Sequence, residues 1–127
     1  MAVTHSTAVR SAIADLIDDQ INAGSADASG DFLIRESTTT LATIVLQNPA
    51  FGAASSGVIT LAGVPLSVAA SAAGTADNFQ FRNRDNTVCV SGSITASGGG
   101  GDATLDNTNI ANGQIVQINS LTYAAPN

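Results

Sequence analysis

The chain has 127 residues and no lysine; its positive charges are Arg10, Arg35, Arg82 and Arg84, set against ten carboxylates for a formal net charge of −6. That balance excludes a Schiff-base amine and a phosphate-loop lysine. It also excludes a basic field for a nucleic-acid backbone, because such affinity comes from neutralised phosphates. The length suits one domain, and the only aromatics are Phe32, Phe51, Phe79, Phe81 and Tyr123, so the core is mainly Ala, Val, Ile and Leu and thin for its size.

Residues 7–23 carry a helical period. Ala8, Val9, Ala12, Ile13, Leu16, Ile17 and Ile21 recur at three- and four-residue spacings. Thr4, Ser6 or Thr7 can cap the start and Gly24 suits the position after the end. Opposite the stripe stand Arg10, Ser11, Asp15, Asp18, Asp19 and Asn22, which read as a solvated face or as a contact with a basic neighbour. Residues 24–30, rich in Gly, Ser and Ala, have the composition of a flexible joint. The chain therefore divides into an arm and helix (1–24), a linker (25–30) and a β domain (31–127).

From residue 31 the period changes to two. Strands are predicted at 32–36 and 41–46, around 58–62 and 66–70, at 79–83 and 87–94, at 103–106 and at 114–123, with 48–57 and 71–76 as connections. Asp85-Asn86 supplies tight-turn chemistry between the fifth and sixth of these. Short strands with turn signals and no intervening helix predict an antiparallel β-sandwich of jelly-roll or Greek-key type behind one N-terminal amphipathic helix.

Chemical constellations are weak. The glycines at 98–101 are followed by Asp102 rather than Lys-Ser/Thr and a helix, so they read as a flexible connection. Asp102, Asp106, Asn107 and Asn109 offer oxygens without calcium-loop spacing. His5 is the sole histidine, distant from any nucleophile turn, and Cys89 sits alone in an apolar run as a buried, inert thiol. No catalytic, cofactor or metal site is expected. No run reaches the ~18–20 apolar residues of a membrane span. Arg82 and Arg84 alternate with Phe79 and Phe81, an arrangement suited to carboxylate contacts. With Arg10, Asp18, Asp19 and Asp85 they form the expected partner interface.

Several segments resemble a known group. They are Arg84-Asp85-Asn86-Thr87-Val88-Cys89-Val90-Ser91-Gly92-Ser93-Ile94, the glycine run with Asp102, Leu105-Asp106-Asn107-Thr108-Asn109-Ile110 and Gly113-Gln114-Ile115-Val116. Together with Ala2-Val3-Thr4-His5-Ser6-Thr7 and Asn48-Pro49-Ala50-Phe51-Gly52, they are similar to small structural proteins of tailed bacteriophages. The resemblance implies a virion component, nearest to a capsid decoration or cement protein. Such a protein is made in the host cytoplasm and sits on the outer shell. There it bridges major capsid proteins as a dimer or trimer, with no nucleic acid, membrane or cofactor involved. The competing readings are a tail- or fibre-associated module binding host glycans, for which Phe51 is the one loop aromatic, and a head–tail connector or tail component. The helix on its linker and the tail 124–127 are the parts expected to reach a neighbour.

Overall fold

The structure, a computed structural model, describes residues 3–126; Ala2 of the opening motif and Asn127 of the tail lie outside the described residues. The chain is mainly β with one helix. Helix α1 (Thr7–Asn22) starts where the Ser6 side chain accepts from Val9 N at 3.2 Å, and it ends as Ala23 turns extended. Its buried stripe is rotated from the expected one. Ala14 and Ile21 are fully buried, while Val9 and Leu16 remain 45% and 54% exposed. The rotation follows from the polar face, which docks on the protein instead of facing water.

The main sheet has five strands in the order β2 (Thr39–Val45), β1 (Asp31–Glu36), β6 (Asn78–Arg82), β7 (Val88–Ala96), β8 (Ala103–Leu105). Phe32 pairs with Ile44 and Phe81, and Ile34 with Ala42 and Phe79, so alternation puts all six on one face. A register shift at Ile34/Arg35 adds Leu41 to β2, which lets the consecutive residues Leu41 and Ala42 both be buried. The predicted hairpin at 79–94 is β6–β7, turned at Asn86 with φ 63°.

Strand β8 departs from the antiparallel expectation. It lies parallel to β7, with Ile94 opposite Ala103 and Ala96 opposite Leu105. Parallel neighbours ordinarily need a crossover of a dozen or more residues; here the connection is 97–102. The four glycines make the short return feasible. Gly98 and Gly100 have φ of +87° and +81°, in the left-handed region, and at Gly99 and Gly101 an added Cβ would come within 2.7 and 2.8 Å of the Thr95 side chain. Gly101 N also donates to Thr95 Oγ1 at 3.0 Å. The run is a folded strap over Thr95, not the free connection its composition suggests.

The remaining strands form one ribbon. β3 (Val58–Thr60) pairs with β11 (Thr122–Ala124), β4 (Leu66–Ala69) with β10 (Ile115–Ile118), and β5 (Gly74–Thr75) with β9 (Asn109–Ile110), all antiparallel. Leu66 opposite Ile118 and Gly74 opposite Ile110 share a register, and Ala70 N to Gln114 O and Ala76 N to Thr108 O continue it between and beyond the ladders. Carried on, that register would set Thr60 against Ala124. Thr60 pairs with Thr122 instead, so the ribbon slips where 61–65 runs against 119–121. Its buried residues Ile59, Leu61, Ala70, Ile110 and Val116 join the helix and the sheet in one core.

At the centre of that core four phenylalanines touch. Phe32 lies 5.3 Å from Phe79 and 4.9 Å from Phe81, and Phe51 lies 5.8 Å from Phe81 between ring centroids. Phe81 therefore links helix-side loop, sheet and neighbouring rings. Phe81→Ala is expected to cost about 3–5 kcal/mol in urea titration, as large core truncations do. Val45→Ala, at a side chain 66% exposed, should change stability by no more than about 0.5 kcal/mol.

Candidate interaction surfaces

The polar side of α1 builds a row of acceptors at positions 11, 15, 18 and 22. Ser11 Oγ accepts from Gly57 N at 3.1 Å, Asp15 Oδ1 from Ala54 N at 2.9 Å, Asp18 Oδ1 from Phe51 N at 3.0 Å, and Asn22 Oδ1 from Ala50 N at 2.9 Å. Asn22 Nδ2 also donates to Asp18 Oδ1 at 2.9 Å. These spacings put the four on one helix face. The segment they meet has few partners of its own, so its N–H groups need side-chain acceptors. Burial is the main influence on Asp18 and pushes its pKa above the usual carboxylate value; the bonds from Phe51 and Asn22 oppose that only in part.

The other expected contact residues are also engaged within the chain, with one exception. Arg82 forms a two-pronged pair with Asp31, Nε to Oδ1 at 2.7 Å and an Nη to Oδ2 at 2.6 Å, and this bonding raises the Arg82 pKa. Arg84 donates from Nε to Asp27 O at 2.7 Å, and its backbone N donates to Ala23 O at 2.9 Å. Asp85 Oδ1 accepts from Ser25 N and Ala26 N, both at 3.0 Å, and those two donors hold its pKa below the usual value. The segment expected as a flexible joint is thus clasped by the β6–β7 turn. Arg10 packs against Gly57, where an added Cβ would come within 2.9 Å of the Arg10 Cβ, and its Nε is buried there with no hydrogen-bond partner among the described residues. Asp19 is the exception, exposed on the outer side of α1.

The same habit runs through the remaining loops. Asp77 accepts from Ser37 N at the β1–β2 turn, and its bonds from Asn78 and Ser37 lower its pKa. Glu36 Oε2 accepts from Thr75 N at 2.9 Å, and Asp102 Oδ2 from Ser93 N at 3.0 Å. Asn107 and Asn109, considered above as calcium oxygens, bond Asn109 N and the Thr75 hydroxyl. Among the described residues no group of three or more His, Cys, Asp or Glu is placed to hold a metal ion, and no helix is long and apolar enough to cross a membrane. Cys89 is half-buried, and burial raises its thiol pKa. Phe51 lies in the core at 2% exposure and offers no platform to a ligand.

Two outward features remain. One is the outer stripe of α1, where Val9, Ala12 and Leu16 stay exposed beside Asp19. The other is an open cleft of about 470 Å³ between β8 and the ribbon at its register slip. Its inner wall includes Phe32, Ile34, Ile94 and Leu105, with Asp102 and Asp106 at the β8 side and Asn119 and Leu121 opposite. The sequence signal for the helix–loop contact was present in the regular spacing of Ser11, Asp15, Asp18 and Asn22. The cleft left no local signal, because its two walls are distant in the chain. Compared with known proteins, the chain matches no family model, no curated protein and no solved structure.

Asp18→Asn keeps an acceptor for Phe51 N and removes the desolvated charge, so at neutral pH it should leave stability equal or higher. Asp18→Ala leaves that N–H unmet and should cost about 1–3 kcal/mol; urea midpoints of the two variants at pH 7 check this. For acid, the signs differ by residue. The depressed pKa values of Asp77 and Asp85 give stability that is present above the unfolded value of 3.8 and is lost as pH falls through the folded values. The raised pKa of Asp18 acts oppositely, favouring the fold as pH drops from its folded value toward 3.8. Acid unfolding followed by circular dichroism should therefore begin below 3.8, and Asp85→Asn should move it to higher pH.

Proposed function

We propose that this chain is a non-catalytic structural protein of a phage virion, of the capsid decoration or cement type. In this reading it binds the outer shell and bridges neighbouring major capsid proteins, itself as a dimer or trimer. We further propose that the ribbon serves as the second layer of a jelly-roll or Greek-key sandwich. The observation that carries the reading is the division of labour among side chains. Charged and amide groups hold the chain's own backbone, while Val9, Ala12 and Leu16 on α1 face outward without contributing to the core. An apolar stripe on a helix anchored at both ends suits a fixed contact with another protein better than it suits chemistry. The resemblance of the loop and strand segments to tailed-phage structural proteins points the same way.

The glycan-binding alternative draws less support, since its one loop aromatic, Phe51, is inside the core. The connector alternative differs in copy number. Electron cryomicroscopy of particles from the phage that encodes the chain separates these readings. Hundreds of copies on the outer shell are expected; density confined to one vertex, or to the tail, would overturn the decoration role. On such particles, Leu16→Gln should reduce occupancy at least tenfold. The urea midpoint of the isolated protein should stay essentially unchanged, because the side chain is 54% exposed and glutamine is a good helix former.

A further inference from the structure

The cleft beside β8 is where the ribbon fails to cover the sheet, and its walls are strand edges. β8 is the last strand of the five-stranded sheet and pairs only with β7; β10 and β11 each have one partner. Leu105 O accepts from Ser97 N on the β7 side at 3.0 Å. Backbone groups of successive strand residues point to opposite sides, so those of Thr104 face away from β7, and Thr104 lines the cleft. Phe32, Ile34 and Ile94 lie behind the cleft at 4%, 1% and 5% exposure, and its half-buried apolar side chains are Leu105 on the β8 side with Ile118 and Leu121 opposite. Asp102 and Asp106 flank the edge, each exposed, in a chain of net charge −6.

We propose that this cleft takes an extended segment of another protein as an added strand on β8, with apolar side chains at alternate positions and Lys or Arg between them. Main-chain bonds to β8 would supply affinity, alternate apolar side chains would pack between Leu105 and the facing Ile118 and Leu121, and the basic ones would meet Asp102 and Asp106 at the rim. Asp102 N already donates to Ser93 Oγ at 3.1 Å, so the outward backbone groups of Thr104 are the ones within β8 that the added strand would meet. A second copy of this chain is a poor occupant on charge grounds. It has no lysine and a net charge of −6, Arg82 is paired with Asp31, and Arg84 and Arg35 donate to the carbonyls of Asp27 and Thr38. The occupant is therefore a different protein, and this rests on the assembly role proposed above.

The test uses the full chain and an array of peptides of about nine residues, with Val at alternate positions and Arg, Thr or Glu between. Saturable binding is expected in the order Arg, Thr, Glu, with amide chemical-shift changes centred on 102–106 and 117–122. Thr104→Pro, tolerated on an edge strand, should weaken binding at least tenfold without loss of the folded spectrum. Asp106→Asn should weaken the Arg peptides about two- to five-fold, as expected for one exposed ion pair, and reduce their salt dependence. Binding by none of the peptides, equal binding of the Glu series, an unchanged Thr104→Pro, or shifts centred on α1 would each overturn the proposal. Particle microscopy reads the parent role independently. Decorated shells with no peptide binding would reject the cleft alone, and peptide binding with bare shells would reject decoration alone.

Discussion

The contact on which the rest of the molecule depends is the row of helix side chains that accept backbone N–H groups from residues 50–57. That segment has almost no ladder of its own, yet Ala50, Phe51 and Gly57 are buried. A buried donor without a partner costs about 1–3 kcal/mol. Ser11, Asp15, Asp18 and Asn22 remove that penalty at four places along one helix face. Once the loop is fixed, Phe51 reaches Phe81 at 5.8 Å and closes the aromatic cluster. The helix is thereby part of the core, not a detachable arm. A chain without residues 1–24 would lose Ala14 and Ile21 from the interior and leave these loop donors unmet.

The same chemistry explains how a chain with four cations and ten carboxylates folds compactly. Its negative charges are not balanced by ion pairs: the one salt bridge among the described residues joins Arg82 and Asp31. Instead Asp15, Asp18, Asp77 and Asp85 are met by backbone N–H groups of loops and turns, and Glu36 and Asp102 by those of Thr75 in β5 and Ser93 in β7. Hydrogen bonds to a charged acceptor are stronger than neutral ones, and they need no lysine. They also tie together parts distant in the chain, as Asp85 ties the β6–β7 turn to residues 25 and 26.

Legibility in the sequence followed the range of the interactions. The helix, the β1–β2 and β6–β7 hairpins and the turn at Asn86 are set by neighbours a few residues apart, and period and turn chemistry revealed them. In the ribbon, β3, β4 and β10 fall inside the predicted strands at 58–62, 66–70 and 114–123, while the two-residue β5 and β9 are too short for a period to show, and no local signal marks the pairing of 57–76 with 108–125. The glycines at 98–101 read as slack because composition cannot distinguish a free loop from one in which two positions need a positive φ and the other two lie against the Thr95 side chain. Arg82, Arg84 and Asp85 were singled out for an interface by residue type, and nothing local revealed that Asp31, Asp27 and residues 25–26 would meet them. The helix acceptor row was readable in principle. Its spacing was visible, but a regular polar stripe ordinarily faces water.

The strap at 98–101 has a consequence for the shape of the molecule. By returning within six residues it places β8 parallel beside β7 and extends the sheet by one strand. The ribbon, whose β5 lies by β1 and β4 by β2, slips register before it reaches that strand, and 119–121 lines the cleft opposite β8. The uncovered strand and the exposed stripe of α1 therefore lie outside the aromatic cluster and the loop-capping bonds that hold the fold. Val9 and Leu16 make no part of the buried core, and β8 contributes only the half-buried Ala103 and Leu105 to its margin. The individual side chains of Val9, Leu16 and Thr104, which take no part in the buried core, can change at little cost to the fold, whereas the Phe32 and Ile34 behind the cleft cannot.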